Sequence, residues 1–265
     1  MNITPIYDPV LHQRPMRVAA FMSGSGTNII KLLEKEKILK EEEGSSPFRV
    51  IFIFSDRSDG SCKGEEIAFK NGIPYFSYDI RNYHKKKGLK RTVLTQEGLA
   101  ARREFDETAA LLNKAFEIDL IALGGYMSYI TLERCINVHP ADLSIVDSDG
   151  KRAYVGDHAV LDAIMAGEKT LCSSTLLTDK GVDTGPLLMI SEPLDVILPE
   201  PLDSLRNDIE RLREIADEHQ ERLKQVGDWE IFPLTIEMVA RGRLALDKNN
   251  RVYLDGEPHL QGSKK

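Results

Sequence analysis

The sequence runs to 265 residues, with 42% hydrophobic and 29% charged side chains, a composition that fits one sizeable globular domain or two small ones. Asp and Glu outnumber Lys and Arg by 42 to 35, a net charge of −7, which excludes a broad nucleic-acid-binding face but not a single small anionic ligand. Cys62, Cys135 and Cys172 match neither disulfide nor zinc spacing, and no window is long and apolar enough for a signal core or a membrane span, so a reducing, cytoplasmic setting without membrane partners is expected.

Residues 1–15, rich in proline and polar side chains, read as a loose N-terminal arm. Arg17–Met22 is a short apolar run and the first buried strand. The loop Ser23-Gly24-Ser25-Gly26-Thr27-Asn28 follows, and the helically spaced Ile29, Ile30, Leu32 and Leu33 run on into the charged Glu34–Glu43. In this order of strand, loop and helix, the two glycines let the backbone turn tightly around a ligand. The N–H groups at the helix start attract an anion, of which phosphate is the natural one. The loop is neither G-x-G-x-x-G nor a Walker loop, whose lysine is missing, and a purely structural turn accounts for the local sequence equally well.

Phe48–Ser55 is a continuous apolar run and a second strand, Cys62–Asn71 a short helix ending at Gly72, and Ile73–Tyr78 a third strand. The alternation predicts an α/β, Rossmann-like fold with a mostly parallel sheet and helices on both faces. Residues 80–103 then carry eight cations (Arg81, Lys85, Lys86, Lys87, Lys90, Arg91, Arg102 and Arg103) in an acidic protein. They read either as a solvated loop or as a lid over an anionic substrate. Glu104–Glu117 is an amphipathic helix, Asp119–Gly124 a fourth strand, and Gly125–Tyr129 the loop at its ligand-binding edge.

The fifth strand is Ile136-Asn137-Val138-His139-Pro140. Asn137 and His139 are two residues apart and share one face of an extended backbone. Pro140, which lacks an N–H and restricts His139 to extended conformations, ends the strand. An amide and an imidazole at such an edge can polarise a carbonyl and handle a proton. Alone the pair is a weak signal, since these side chains often bond to backbone at strand ends. Beyond it come a long polar loop over 141–157, a helix over His158–Gly167, and strands Thr170–Thr178 and Leu187–Ile190 flanking the polar loop Asp179–Pro186. Helices over Pro201–Gln225 and Trp229–Arg241 and a small C-terminal hairpin over Leu244–Leu254 complete a single domain spanning 16–256, with 257–265 as a flexible tail.

Taken in order, S-G-S-G-T-N, G-G-Y-M, I-N-V-H-P and V-D-T-G-P resemble the folate-dependent formyltransferases, over about Arg17 to Gly256. The closing W-E-I-F-P-L, G-R-L and V-Y-L-D-G resemble the branch that formylates glycinamide ribonucleotide in purine synthesis. The resemblance implies the formyltransferase fold, 10-formyltetrahydrofolate as co-substrate, no metal, and a small phosphorylated amine as acceptor. It implies a catalytic role for Asn137, His139 and Asp183. It implies substrate binding by Gly24, Ser25, Gly26, Thr27, Asn28, Arg102 and Asp228, and folate binding by Met127, Ser128, Tyr129, Leu177, Thr178, Asp179 and Val182. The chain departs from the family at Ser128, where an arginine is usual, at Thr175, where a histidine is common, at Asp228-Trp229 in place of an acidic-His pair, and over Ala141–Val155, which is longer. The alternatives are a relative acting on a sugar nucleotide or methionyl-tRNA, a formyl-folate hydrolase, or a non-catalytic folate- or nucleotide-binding protein. The oligomeric state is left open.

Overall fold

The computed structural model describes residues 3–259 and the backbone of 263–264. In chain order the elements begin with β1 (Ile3–Pro5), α1 (Pro9–His12), β2 (Met16–Met22), α2 (Thr27–Glu43), β3 (Phe48–Ser55), α3 (Gly64–Asn71) and β4 (Tyr75–Ser77). They continue with α4 (Ile80–Lys87), α5 (Gln96–Ala115), β5 (Leu120–Leu123), β6 (Cys135–His139), α6 (Ala159–Ala166), β7 (Thr170–Leu171), β8 (Ser174–Leu177) and β9 (Leu187–Ile190). The last are β10 (Leu194–Asp195), α7 (Leu202–Leu205), α8 (Ile209–Leu223), a π-helical turn over Lys224–Asp228, α9 (Trp229–Ala240), β11 (Leu244–Asp247), β12 (Val252–Leu254), β13 (Glu257–Pro258) and β14 (Ser263–Lys264). The chain divides into two compact units, one of residues 7–136 and 240–242, the other of 1–6, 137–239 and 243–265.

In the unit built on 7–136, β2 pairs in parallel with β3 and with β5, and β3 pairs in parallel with β4. β2 and β3 are buried along most of their length, which is why their sequences are unbroken apolar runs rather than alternating ones. Phe21, Phe52, Phe54, Ile121 and Leu123 form a core with Ala109 of α5, and the Phe21 and Phe54 rings lie 4.8 Å apart. The basic segment is not an open loop. Asp79 caps α4 by accepting from the N–H groups of Arg81 and Asn82 at 2.9 Å each, and Lys85, Lys86 and Lys87 fall in its last turn. Cations there meet the negative end of the helix dipole, so the local charge excess has a structural cause. Lys87 is also paired with Glu104 of α5. α5 begins eight residues before the predicted Glu104, capped by the Thr95 side chain on the Gly98 N–H; the charges of 97–104 hide its period in the sequence.

In the other unit, β8 lies between β6 and β9, and β8 and β9 form the antiparallel pair expected around the polar loop. The single strand predicted over Thr170–Thr178 is split at Cys172-Ser173 into β7, which pairs with β10, and β8. α6 and α8 pack through Val160, Ala163, Ile164, Leu212, Ile215 and Ala216. The long helix predicted from Pro201 is interrupted, because Asp208 accepts from the Arg211 N–H and starts α8 afresh. The C-terminal hairpin is present, and it belongs to a small sheet in the order β1-β11-β12-β13. Residues 3–5 of the supposed arm therefore form an edge strand, and Glu257 and Pro258 of the supposed tail pair with β12. The rest of that tail at 260–262 and 265 lies outside the described residues. Among the described residues no helix is long and apolar enough to cross a membrane.

Candidate active site

β6 delivers Asn137 and His139 as its spacing requires, with Val138 buried on the opposite side of the strand. The His139 ring is buried, and both of its nitrogens face acceptors. Nδ1 lies 3.4 Å from Oδ2 of Asp183, and Nε2 lies 3.0 Å from the carbonyl oxygen of Tyr154. A doubly protonated ring satisfies both contacts, whereas either neutral tautomer satisfies one. The Asn137 amide, by contrast, is half-buried and makes no side-chain hydrogen bond among the described residues. A simple strand-end accommodation of these two side chains would have bonded both of them to backbone.

Asp183 reaches His139 from the β8–β9 loop. Its φ of 53° is left-handed, an uncommon conformation for a residue with a side chain. Its Oδ2 also accepts from the Gly156 N–H at 2.9 Å. That loop is built by Asp179, whose Oδ1 accepts from the Gly181 N–H at 2.9 Å and from the Thr184 hydroxyl at 2.6 Å. Gly185 is required by close approach, since a Cβ there would stand 1.8 Å from the Leu177 carbonyl oxygen.

The segment 141–157 is ordered by its own bonds. Asp147 accepts from the N–H groups of Asp149 and Lys151, Val146 bridges to Arg152, and Ala153 N–H donates to the Ile145 carbonyl at 3.0 Å. The Tyr154 ring packs in the α6/α8 core, and its hydroxyl donates to Glu168 at 2.7 Å. Burial, reinforced by Glu168, pushes this phenol up to about 12. The anchored ring fixes the backbone carbonyl that meets His139. Arg152, Tyr154 and Gly156 were not legible as site residues. Two of them act through main-chain atoms, which no side-chain motif encodes.

In the 7–136 unit, the glycine loop joins β2 to α2. Ser23 N–H donates to the Gly125 carbonyl at 3.0 Å, and the Ser23 hydroxyl accepts from the Met127 N–H at 2.9 Å, so this loop and the β5 loop are bonded side by side. Gly26 caps α2 with φ 71°, and a Cβ there would stand 2.4 Å from Met22 Cε and 2.6 Å from Ile67 Cδ1. No acidic residue occupies the first turn of α2, so no carboxylate offsets the positive end of its dipole there. Gly26→Ala is expected to weaken binding of a phosphorylated acceptor at least about tenfold and to cost about 1–2 kcal/mol of stability through the left-handed backbone. Calorimetric titration and urea midpoints measure the two separately; unchanged acceptor affinity would show that the loop does not hold the phosphate.

Other expected binding residues are placed differently. Arg102 is 2% exposed, bonded through Nε and a terminal nitrogen to Asp106 at 3.0 and 2.5 Å, and to the Tyr126 hydroxyl at 3.0 Å. It is the core of a buried ion pair, not a surface hand for a substrate. Asp228 is buried in the π-helical turn and accepts from the Ser173 hydroxyl at 2.5 Å, so its carboxylate is engaged within the protein. A charged side chain alone does not say whether its partner is inside or outside the protein. Ser128 donates to the buried Asp56 carboxylate. Thr175 is fully buried and shares a hydrogen bond of 2.7 Å with Thr235 of α9. Of the residues expected to bind folate, Met127 in one unit and Val182 in the other are exposed apolar side chains, 63% and 54% accessible. Tyr129, Leu177 and Thr178 are half-buried. Among the described residues no group of His, Cys, Asp and Glu is arranged to hold a metal ion.

A profile of the family described as formyl transferase matches residues 16–216. The phosphoribosylglycinamide formyltransferase of Mycobacterium tuberculosis is 27% identical over 190 residues, 69% of this chain and 73% of that protein. That of Bacillus subtilis is 26% identical over 203 residues, 74% of this chain and 88% of that protein. Among solved structures, glycinamide ribonucleotide transformylase 1 of Symbiobacterium toebii superposes with a TM-score of 0.61 at 25% identity, over 91% of this chain and 94% of that one.

Proposed function

Because the chain belongs to the formyl transferase family and is a formyltransferase, we propose that it carries the formyl group of 10-formyltetrahydrofolate to the amine of a phosphorylated acceptor, glycinamide ribonucleotide. The relatives' names support that acceptor, and the glycine loop at the start of α2 supports a phosphate on it. The single observation that carries the chemistry is the contrast on β6: an uncommitted Asn137 amide two residues from a His139 ring held by Asp183.

The acceptor amine forms a bond to the formyl carbon, and negative charge builds on the formyl oxygen. The Asn137 amide donates to that oxygen, a preorganised contact worth about 3–4 kcal/mol in comparable sites. A protonated His139 adds a second donor when its Nε2–H passes from the Tyr154 carbonyl to the substrate oxygen. Asp183 holds the ring through Nδ1 and takes the amine proton through a water, and the folate nitrogen leaves with a proton. The account uses no metal.

The test is incubation of the purified protein with 10-formyltetrahydrofolate and a panel of amines. Tetrahydrofolate and formylated glycinamide ribonucleotide should appear one for one, with slower or no transfer to sugar-nucleotide amines and methionyl-tRNA. Release of free formate without an acceptor would favour the hydrolase, and no turnover with any amine the non-catalytic reading.

A further inference from the structure

The segment 152–156 meets the catalytic residues at three points: the Tyr154 carbonyl on His139, the Gly156 N–H on the Asp183 carboxylate, and the Arg152 side chain on the main chain around Asp183. The last has no place in the chemistry above. One terminal nitrogen of Arg152 donates to the carbonyl of Asp183, and the other donates to the carbonyl of Gly185 at 2.7 Å. The guanidinium therefore brackets the residue that carries the catalytic carboxylate.

This bracket has a mechanical purpose. Asp179, Lys180, Gly181 and Val182 are largely exposed, and few packing contacts define the loop that presents Asp183. Asp183 itself sits at a φ of 53°, a left-handed conformation that is unfavourable for a residue with a Cβ and relaxes unless its surroundings hold it. Arg152 stands on a firm base. Its backbone bridges to Val146, and two residues on the Tyr154 ring is packed in the core. The planar fork of arginine suits two carbonyls at once, which a lysine point charge does not. The guanidinium is half-buried and makes no ion-pair contact among the described residues; burial holds it below the ordinary arginine value, against the opposing field of Asp183 and Asp179.

We propose that Arg152 is a positioning residue for formyl transfer: its guanidinium fixes the 183–185 main chain so that the Asp183 carboxylate stays on Nδ1 of His139. The proposal rests on the formyl-transfer function above. It also places the lengthened segment after His139-Pro140 in the active site as a brace.

Four proteins test it: Arg152→Ala, Arg152→Lys, Asp183→Asn and the double variant Arg152→Ala/Asp183→Asn, compared at equal folded fraction. Arg152→Ala should lower kcat about 10- to 100-fold, as a misplacement of about 1 Å does, with KM for both substrates changed less than about threefold. Millimolar guanidinium should restore part of that kcat, and Arg152→Lys should fall between. In the double variant the Arg152 change should add less than about twofold, because the residue acts through Asp183. Normal kcat in Arg152→Ala, or a full further loss in the double variant, overturns the proposal. The imidazole 15N–1H signals of His139, recorded without substrate, separate the two claims. If Arg152→Ala moves them in the direction Asp183→Asn does while the wild type transfers no formyl group, the positioning stands and the proposed function fails. If the wild type is active and the signals do not move, the positioning fails alone.

Discussion

His139→Ala is expected to lower turnover by on the order of a hundredfold or more while leaving the protein folded, as are Asn137→Ala and Asp183→Ala. Each removes one part of a single device: the uncommitted amide, the ring beside it, or the carboxylate 3.4 Å from that ring. The combined variant should lose far less than the product of the single losses, since no member keeps its function once another is gone. Steady-state kinetics on proteins with wild-type circular dichroism measures this. Near-normal turnover of His139→Ala would exclude the mechanism. The buried ring also supports the Tyr154 carbonyl contact, so some loss of stability accompanies the change, and kcat must be taken on the folded fraction.

Arg102→Met is expected to have the largest effect on stability, about 3–5 kcal/mol, because it strands a buried carboxylate. Arg102 and Asp106 each expose 2% of their side chains. Asp106 keeps the Thr131 N–H at 2.8 Å and the Thr131 hydroxyl at 2.7 Å but loses the cation it is paired with, and the Tyr126 hydroxyl loses its donor. Urea denaturation should show a lowered midpoint with an unchanged slope. Replacing the pair together, Arg102→Met with Asp106→Leu, should recover much of the loss, since a desolvated ion pair is close in energy to an apolar pair of its size. An unchanged midpoint with weakened acceptor binding would instead return Arg102 to the substrate site.

The two cases show what the sequence makes legible. Asn137, His139 and Pro140 announce themselves because strand geometry alone dictates that side chains two apart share a face and that proline ends the ladder. The apolar runs of β2 and β3 are equally explicit, since strands buried on both faces carry no alternation. Gly26 is legible as a turn, and the structure adds why no other residue fits: a left-handed φ and Met22 Cε at 2.4 Å from any Cβ. Arg102 is not legible, because an arginine four residues before an aspartate on a helix reads the same whether the pair is buried or solvated. The basic run at Lys85–Lys87 looks like a ligand lid, and helix α4 shows it serving a C-terminus. Arg152, Tyr154 and Gly156 escape for a third reason: Tyr154 and Gly156 act through a carbonyl and an N–H, Arg152 donates to the main-chain carbonyls of Asp183 and Gly185, and the segment that carries all three is held by the Tyr154 ring in the α6/α8 core.

The central claim is that this site moves a formyl group between two substrates through Asn137, His139 and Asp183. Its most direct measurement is single-turnover transfer of a 13C-labelled formyl group from 10-formyltetrahydrofolate, followed by NMR with glycinamide ribonucleotide present. The wild type should pass the label from folate nitrogen to the acceptor amine without a free formate signal, and the Asn137→Ala, His139→Ala and Asp183→Ala proteins should bind both substrates and leave the label on folate. Label appearing as formate, or passing to the acceptor at an unchanged rate in the three variants, would contradict it.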